Sequence, residues 1–361
     1  MITQTTYKRM FELIDVMRFP LIFLVVIAHM VGFDTPRVHL SMTPDNIYTL
    51  ISQMISHNLA KISVSFYFLV SGYFFFIKFQ NWDLSNYSHA LQKKGKTLLV
   101  PYLFWNIIIV IMTLLVNYAG YFWGIDREKV EIPSFYNTFW GMPANYPLWY
   151  LRDLMCMMVI SPAIYFLIKK MKMIYLCLLI LAYFMGLEIG IPGFSTTAFL
   201  FFSFGGYFAI YNVDWLTICS KVRKSSILIA ALFLMAATLS NGMKYHEIVL
   251  KAFIFTGIIA SVNLFDYLLK YKMLKNFLLF FSSSSFFIYV IHEVYIINWL
   301  KGGFLRLSIS NSLAGKLTGY FLIPCICILI CWGLYFLMKK YCPGILAFVT
   351  GGRLSTHLKE K

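Results

Sequence analysis

The chain has 361 residues, of which 60% are hydrophobic and only 13% are charged, about half the charged share of a typical soluble domain. The apolar residues come in blocks of roughly twenty, the length that crosses a bilayer, so the composition excludes an ordinary soluble globular domain. The net charge of +16 comes from basic residues in short loops between the apolar blocks, which favours anionic lipid headgroups over nucleic acid as a partner.

We therefore predict an all-α, polytopic membrane protein with about ten transmembrane helices, forming one membrane domain over residues 1–361. The predicted spans are approximately 14–33, 50–77, 97–119, 148–168, 173–190, 195–212, 225–240, 247–268, 276–298 and 315–338. Lys8 and Arg9 precede the first span. That span is long and lacks a small-x-small cleavage site, so we expect it to remain uncleaved.

The basic residues are distributed unevenly between the two predicted sides of the membrane. With a cytoplasmic N-terminus, twenty of the 31 Lys and Arg residues fall in inner segments and six in outer segments. The outer six are Arg37, Arg127, Lys129, Lys244, Lys301 and Arg306. Cytoplasmic loops carry an excess of Lys and Arg, so the bias predicts that both termini are cytoplasmic.

The first span carries three polar residues that are costly in a bilayer. Arg18 and His29 are eleven residues apart, close to three helical turns, so they share one helix face. They are separated by roughly 16 Å along the axis. Asp15 lies three residues before Arg18 and can pair with it. Helix-end snorkelling by Arg18 and a buried, hydrogen-bonded His29 are the structural alternatives to a functional site.

Two further polar groups follow in chain order. Lys93, Lys94 and Lys96 form a basic cluster, which is either ordinary cytoplasmic topology or a clamp for the phosphates of a cytosolic anion. The fourth span begins with Trp149, Arg152 and Asp153 on the outer side. These residues are either an interfacial anchor or a wall of an outward-facing acceptor site.

The ninth span contains another polar stripe. Ser285, Tyr289 and His292 are spaced i, i+4 and i+7, which places them on one helix face, and Glu293 follows. Counted from the cytoplasmic end, His292 lies at a depth similar to that of His29. Two histidines and a carboxylate at one depth indicate the centre of a site.

The seven cysteines mostly fall inside apolar runs, and none forms a CxxC pair. They are typical of small buried apolar residues. We assign neither disulfides nor a metal site to them.

These residues resemble the acyltransferase 3 family of integral membrane acyltransferases. The first-span Asp, Arg and His of that family match Asp15, Arg18 and His29 in "ELIDVMRFPLIFLVVIAH". A Phe-rich Ser-Gly-Tyr stretch matches "FYFLVSGYFFF", and the late Tyr-x-x-His matches "SFFIYVIHE". "PLWYL" matches the fourth span of the family.

The family's basic pair before a Pro-Tyr is matched by Lys93 and Lys96. The family usually has Arg at both positions. A lysine is a point charge that cannot form the bidentate fork of a guanidinium group, so this match is a departure from the pattern.

The resemblance implies transfer of an acyl group, usually acetyl, from cytosolic acetyl-CoA or another acyl-CoA to a hydroxyl of a cell-surface glycan or a lipid-linked saccharide. It implies a location in the bacterial inner membrane. No extracellular domain fused after the tenth span is expected. The oligomeric state stays open.

The resemblance also implies roles for individual residues. Arg18, Lys93 and Lys96 would hold the phosphates of coenzyme A, and Asp15 would position Arg18. His29 would act as general base or would carry the acyl group itself. His292 or Glu293 would orient that base or bind the acceptor. The remaining candidates for contact with the acceptor are Trp149, Tyr289, Arg152 and Asp153.

Two other classes of function stay open from the sequence. A polysaccharide or small-molecule transporter would also have ten spans and central polar residues. Transporters often contain two related halves, and residues 14–168 show no match to 173–338. A sensory or assembly scaffold is the third possibility, and the paired histidines argue against it.

Overall fold

The structure is a computed structural model that describes residues 4–32, 36–39, 41–79, 82–122 and 130–352. Within these ranges the chain forms helices and loops and no β-strand. This confirms the predicted all-α class. Of the residues used in the charge count, Arg127, Lys129, Arg353, Lys359 and Lys361 lie outside the described residues.

The helices occur in a fixed order along the chain. They are α1 Gln4–Ala28, α2 Pro44–Phe76, α3 Leu84–Phe122, α4 Phe135–Phe139, α5 Trp149–Val159, α6 Ser161–Met171, α7 Met173–Phe184, α8 Thr196–Ile210, α9 Trp215–Lys221, α10 Arg223–Leu239, α11 His246–Leu268, α12 Lys272–Ser282, α13 Ser285–Leu305, α14 Leu313–Tyr341 and α15 Pro343–Val349.

Within the described residues, four helices, α2, α3, α11 and α14, are long and apolar enough to cross a membrane. Three bent pairs, α5 with α6, α9 with α10 and α12 with α13, raise the number to seven if each pair is one span. The helix α1 has 25 residues but carries Glu12, Asp15 and Arg18, and α7 and α8 are shorter. A helix thus occupies each predicted position, while the count of ten stays a prediction.

The predicted fourth span differs from one continuous helix. Its two parts, α5 and α6, meet at Ile160 and are bent by 62°. Pro162 explains the break, because proline has no N–H to donate and disfavours helical backbone at the preceding residue. The ninth span is bent by 48° between α12 and α13.

The helices α2 and α8 pack at very close range. A Cβ atom at Gly72 would collide with the backbone of Phe202, and one at Gly205 would collide with the backbone of Leu69. Small residues allow helix backbones to approach in membrane proteins. This contact holds α2 firmly against α8.

Contacts between helices define two ends of the molecule. At the end where α1 begins, Arg9 and Arg223 both pair with Asp266 near the end of α11, and Lys275 of α12 pairs with Glu12 at 2.7 Å. We call this the inner end. At the opposite, outer end, the hydroxyl of Ser56 in α2 donates to the carbonyl of Ile27 at 2.8 Å.

Candidate active site

A cavity of about 2630 Å³ extends from the inner end to the outer end of the molecule. Its wall includes parts of α1, α2, α5 and α13 together with the loop that precedes α5. Six of the candidates predicted from the sequence line it, namely Asp15, Arg18, His29, Trp149, Tyr289 and Glu293. The cavity therefore joins the polar stripes of the first and ninth spans.

His29 and Glu293 form a polar pair on the cavity wall. The Nδ1 atom of His29 lies 3.1 Å from Oε1 of Glu293. The helix α1 ends at Ala28, and the N–H of His29 still donates to the carbonyl of Val26 at 3.2 Å. A carboxylate at this distance favours the proton on Nδ1 of a neutral His29, which leaves the other ring nitrogen, Nε2, with a lone pair.

A break in α13 lies immediately after Glu293. Val294 has φ −72° and ψ 69°, and Tyr295 has φ 61°. A left-handed conformation is unfavourable for an aromatic residue and persists only where surrounding contacts impose it. The hydroxyl of Tyr295 lies 2.8 Å from Oγ1 of Thr113 in α3. This contact ties the break, and thereby Glu293, to a neighbouring helix.

His292 lies behind His29 and is fully buried. The ring centroids of the two histidines are 5.1 Å apart. Nδ1 of His292 lies 3.1 Å from the carbonyl of Ile288 and 2.9 Å from that of Tyr289, so it must carry the proton. His292 is absent from the cavity lining. It packs against His29 instead of facing the cavity.

Lys301 completes the surroundings of the pair. Its Nζ donates to the carbonyl of His29 at 2.8 Å, and its charge interacts with Glu293. The carbonyls at the C-terminal end of a helix are unsatisfied and carry partial negative charge, which a cation stabilises. One lysine therefore touches the backbone of the histidine and balances the charge of its carboxylate partner.

The inner end of the cavity is basic. Nη1 of Arg18 pairs with Oδ1 of Asp15 at 2.9 Å, and the hydroxyl of Tyr67 donates to the carbonyl of Arg18 at 2.9 Å. The basic residues that line this end are Lys8, Arg18, Lys78, Lys94, Lys339 and Lys340. Lys93 and Lys96 are absent from the lining, whereas the lysine between them is part of it.

The fourth-span candidates divide into two groups. Trp149 and Tyr289 line the cavity, and the hydroxyl of Tyr289 donates to the carbonyl of Pro147. Arg152 and Asp153 are buried outside the lining. The guanidinium of Arg152 binds Oδ1 of Asp153 at 2.8 and 3.0 Å and donates to the carbonyl of Gly141 at 2.8 Å. This geometry resembles an anchor for the preceding loop.

Among the described residues, no group of three or more His, Cys, Asp or Glu side chains could hold a metal ion. The groups at the His29–Glu293 pair are those of acid–base chemistry: an imidazole with an oriented carboxylate partner and a lysine beside it. This set can accept and return a proton at a point inside the cavity.

A family model described as an acyltransferase domain matches residues 11–338 of the chain. The chain belongs to this acyltransferase family. The enzyme is also similar to the succinoglycan biosynthesis protein ExoH of Rhizobium meliloti (strain 1021), at 25% identity over 317 residues, which cover 83% of this chain and 81% of that protein. No solved structure matches. The predicted membership in the family and the predicted enzymatic class are confirmed.

Sequence reasoning missed three residues of the acyltransferase that line the cavity. Lys301 and Tyr146 lie beside His29, and Lys94 lies at the inner end. Lys301 counts only as an outer loop charge in the sequence, although it lies eight residues after Glu293 on the same helix, α13. Tyr146 directly precedes the quoted "PLWYL", and its ring is 6.2 Å from that of His29. Lys94 was noted within its cluster, but the family spacing favoured its neighbours.

Proposed function

We propose that this acyltransferase, as one membrane domain in the bacterial inner membrane, transfers an acyl group from cytosolic acyl-CoA to a hydroxyl of a polysaccharide or its lipid-linked precursor. Acetyl is the expected acyl group, and a larger group such as succinyl is the alternative. The observation that carries the proposal is the His29–Glu293 pair on the wall of a cavity whose inner end is basic.

The donor would enter from the inner end. Coenzyme A is a polyanion, and the lysines at the inner mouth together with Arg18 supply positive charge for its phosphates. Arg18 and His29 are separated by roughly 16 Å along a helix of this geometry. The pantetheine arm would extend over this distance and bring the thioester to His29.

A polysaccharide acceptor is supported by the similarity to a protein named for succinoglycan biosynthesis. It is also supported by the shape of the cavity, which continues beyond His29 to the outer end. A long acceptor would reach the histidine from that side. Trp149 and Tyr289 would contact the acceptor there, since both line the cavity.

In the proposed reaction, Nε2 of His29 removes the proton of the acceptor hydroxyl as its oxygen attacks the thioester carbonyl carbon. The C–S bond then breaks, and the imidazolium returns the proton to the departing thiolate of coenzyme A. The products are an ester and free coenzyme A. Glu293 holds the proton of Nδ1 throughout and stabilises the positive charge that develops on the ring.

The test uses the purified full-length enzyme in lipid, radiolabelled acetyl-CoA or succinyl-CoA, and polysaccharide deacylated with mild base. Wild-type enzyme is expected to label the saccharide, and His29→Ala to lower kcat by about 10²–10⁴-fold, the usual contribution of a general base. His89→Ala is the matched control, because His89 lies outside the cavity lining. Normal turnover by His29→Ala would end the proposal.

The same assay separates direct transfer from an acyl-histidine route. With labelled acyl-CoA and no acceptor, the general-base route predicts no label on the protein after rapid denaturation at neutral pH, which avoids the acid that would hydrolyse an acyl-imidazole. Label on His29 that is then chased onto saccharide would assign the histidine as the nucleophile.

A further inference from the structure

A second group of polar side chains lines the same cavity, on helices other than α1 and α13. We call it the outer cluster. It consists of His57 and Lys61 from α2, Tyr183 from α7, Thr197 from α8, and His246 and Glu247 from α11. Nothing in the proposed acyl transfer uses these six residues, although four helices bring them to the same cavity.

The outer cluster contains a lysine at the middle of a membrane helix. In α2 the hydroxyl of Ser56 binds the carbonyl of Ile27, and that of Tyr67 binds the carbonyl of Arg18. Lys61 lies between these two levels, on the helix face it shares with His57. A charge at such depth costs roughly 2.5–3.5 kcal/mol on insertion scales, so its retention needs a reason.

Lys61 interacts electrostatically with Glu247, but no ion pair within 4 Å joins it to a carboxylate in the part of the chain that the structure describes. Its side chain points toward the outer end, because α2 begins there and helical side chains lean toward the N-terminus. Lys61 and Glu247 thus face the same part of the cavity without forming a direct ion pair. That arrangement leaves both available to a ligand.

The side chain of Tyr183 is held by its neighbours. The hydroxyl of Tyr183 interacts with Thr197 and with the charge of Glu247. The ammonium of Lys251 lies 5.3 Å from the centroid of the Tyr183 ring. Contacts of this kind fix the aromatic ring and the hydroxyls in the cavity wall.

His246 is held in one tautomer when neutral. Its Nδ1 lies 3.1 Å from the carbonyl of Ala237, so Nδ1 carries the proton and Nε2 remains an acceptor. The cluster therefore combines a cationic donor, an anionic acceptor, a ring acceptor, hydroxyls that do both, and an aromatic face. The opposite charges of Lys61 and Glu247 balance.

A balanced set of donors and acceptors around an aromatic ring suits a neutral ligand rich in hydroxyls. Few convergent polar groups in a largely apolar cavity provide orientation and specificity. We propose that the outer cluster is a subsite for one neutral sugar unit of the acceptor, next to the unit whose hydroxyl reacts at His29. This inference rests on the proposed function, because it assumes that a saccharide is the acceptor.

The test compares Lys61→Met and the isosteric Glu247→Gln in the full-length enzyme. The acceptor probe is a set of oligosaccharides from partial hydrolysis of the deacylated polysaccharide. Both variants should raise the KM for these oligosaccharides tenfold or more. A site that hydrogen-bonds hydroxyls loses much of its affinity for them when one of its polar groups is removed. The Kd for coenzyme A should stay within twofold of wild type.

Two further variants sharpen the comparison. Lys61→Arg keeps the donor charge and should recover most of the lost affinity for the oligosaccharides. Thr256→Val on α11 is the matched control, because its hydroxyl bonds within its own helix and lies outside the cavity lining. It should leave the KM unchanged.

Three outcomes would overturn the inference, each with its own signature. An unchanged oligosaccharide KM in both Lys61→Met and Glu247→Gln removes the subsite. A lower KM in Glu247→Gln alone shows that the ligand is anionic, because removing the carboxylate would then relieve repulsion. A raised Kd for coenzyme A assigns the cluster to the donor. A wild-type enzyme that acylates no saccharide instead overturns the proposed function itself.

Discussion

His29 lies where α1 ends, and this position determines which groups can reach it. Its ring meets Glu293 through Nδ1 at 3.1 Å, while its carbonyl accepts from Lys301 at 2.8 Å. The side chain and the backbone of one residue are thus held from two sides by the same neighbouring helix, α13. A histidine in such a setting has a defined tautomer and a defined orientation.

Replacing Glu293 with Gln tests the orienting role of the carboxylate. The amide can donate to Nδ1 and stabilise the tautomer in which Nε2 carries the proton, which cannot accept one from a hydroxyl. We expect kcat to fall by about 10²–10⁴-fold with little change in the Kd of coenzyme A. Steady-state kinetics and equilibrium binding measure the two quantities.

Glu188→Gln is the control for that substitution, because Glu188 accepts from the backbone of Thr196 at the start of α8 and lies outside the cavity lining. Glu293→Gln with near wild-type kcat would show that the carboxylate does not orient the base.

Lys301→Met removes the donor to the His29 carbonyl and the positive charge near Glu293. A hydrogen bond from a charged group contributes about 1.5–3 kcal/mol, so we expect kcat to fall by about tenfold or more while the KM for acyl-CoA changes little. Lys301→Arg should restore part of the rate if the charge matters.

Lys316→Met is the matched control for Lys301→Met. Lys316 is also a lysine of the outer end, but it pairs with Asp45 and lies outside the cavity lining. Equal losses of rate in the two variants would show a general effect of lost charge at that end.

Breaks in helices shape the site at the level of elements. The chain leaves helical geometry at Val294 and Tyr295, directly after His292 and Glu293. A continuous helix would point the side chains of Glu293 and Lys301 in different directions, because residues eight apart are offset by about 80° around the helix axis. The break and its contact with Thr113 therefore determine how α13 presents its polar groups to α1.

A second element, the loop before α5, depends on Arg152. Arg152 binds Asp153 and two backbone carbonyls of that loop, at Trp140 and Gly141. Arg152→Met would leave a buried carboxylate without its partner, which costs about 3–5 kcal/mol. We expect a clear fall in thermal stability in detergent and an unchanged Kd for coenzyme A.

Arg306→Met is the control for that stability measurement, because Arg306 is exposed at the outer end. Wild-type stability of Arg152→Met together with a raised acceptor KM would instead favour direct contact between Arg152 and the acceptor.

At the scale of the whole molecule, one cavity connects the two ends. Basic residues surround its inner end, and the outer cluster lies toward the other. This separation suits a donor and an acceptor that approach from opposite sides of a membrane. It depends on the inner end being cytoplasmic, which the charge bias predicts.

Cysteine labelling tests that orientation. Cys342 follows α14 at the inner end and is exposed. In a background without other cysteines, a membrane-impermeant maleimide added to intact cells should leave Cys342 unlabelled. It should label Lys244→Cys in the loop between α10 and α11. Both should react after permeabilisation, and labelling of Cys342 in intact cells would reverse the assigned orientation.

Several features of this protein follow from local rules that act along the chain. Apolar blocks of membrane length predict the helices, because backbone groups in lipid must be satisfied within the segment. The eleven-residue spacing predicts that Arg18 and His29 share a face, because helical periodicity is local. The motifs that resemble the family follow from residue order alone, and the family match confirms the membership that they predict.

The candidate site could be predicted only in part, because its contacts join residues far apart in the chain. Depth counting suggested that His29 and the late histidine lie at one level. It did not reveal that Glu293 would reach the imidazole while His292 turned into the protein. Consecutive residues of a helix point in directions about 100° apart, so the packing of α13 against α1 decides which of the two faces His29.

Residue order likewise makes Arg152 a candidate for contact with the acceptor, and Lys93 and Lys96 candidates for binding phosphates. The folded chain buries the arginine against Asp153 and places Lys94 on the cavity wall. Helix membership, charge bias and family are readable from sequence, since each depends on composition or short spacing. Which polar side chains share the cavity depends on helix packing, bends and loop anchoring, which arise only when distant segments meet.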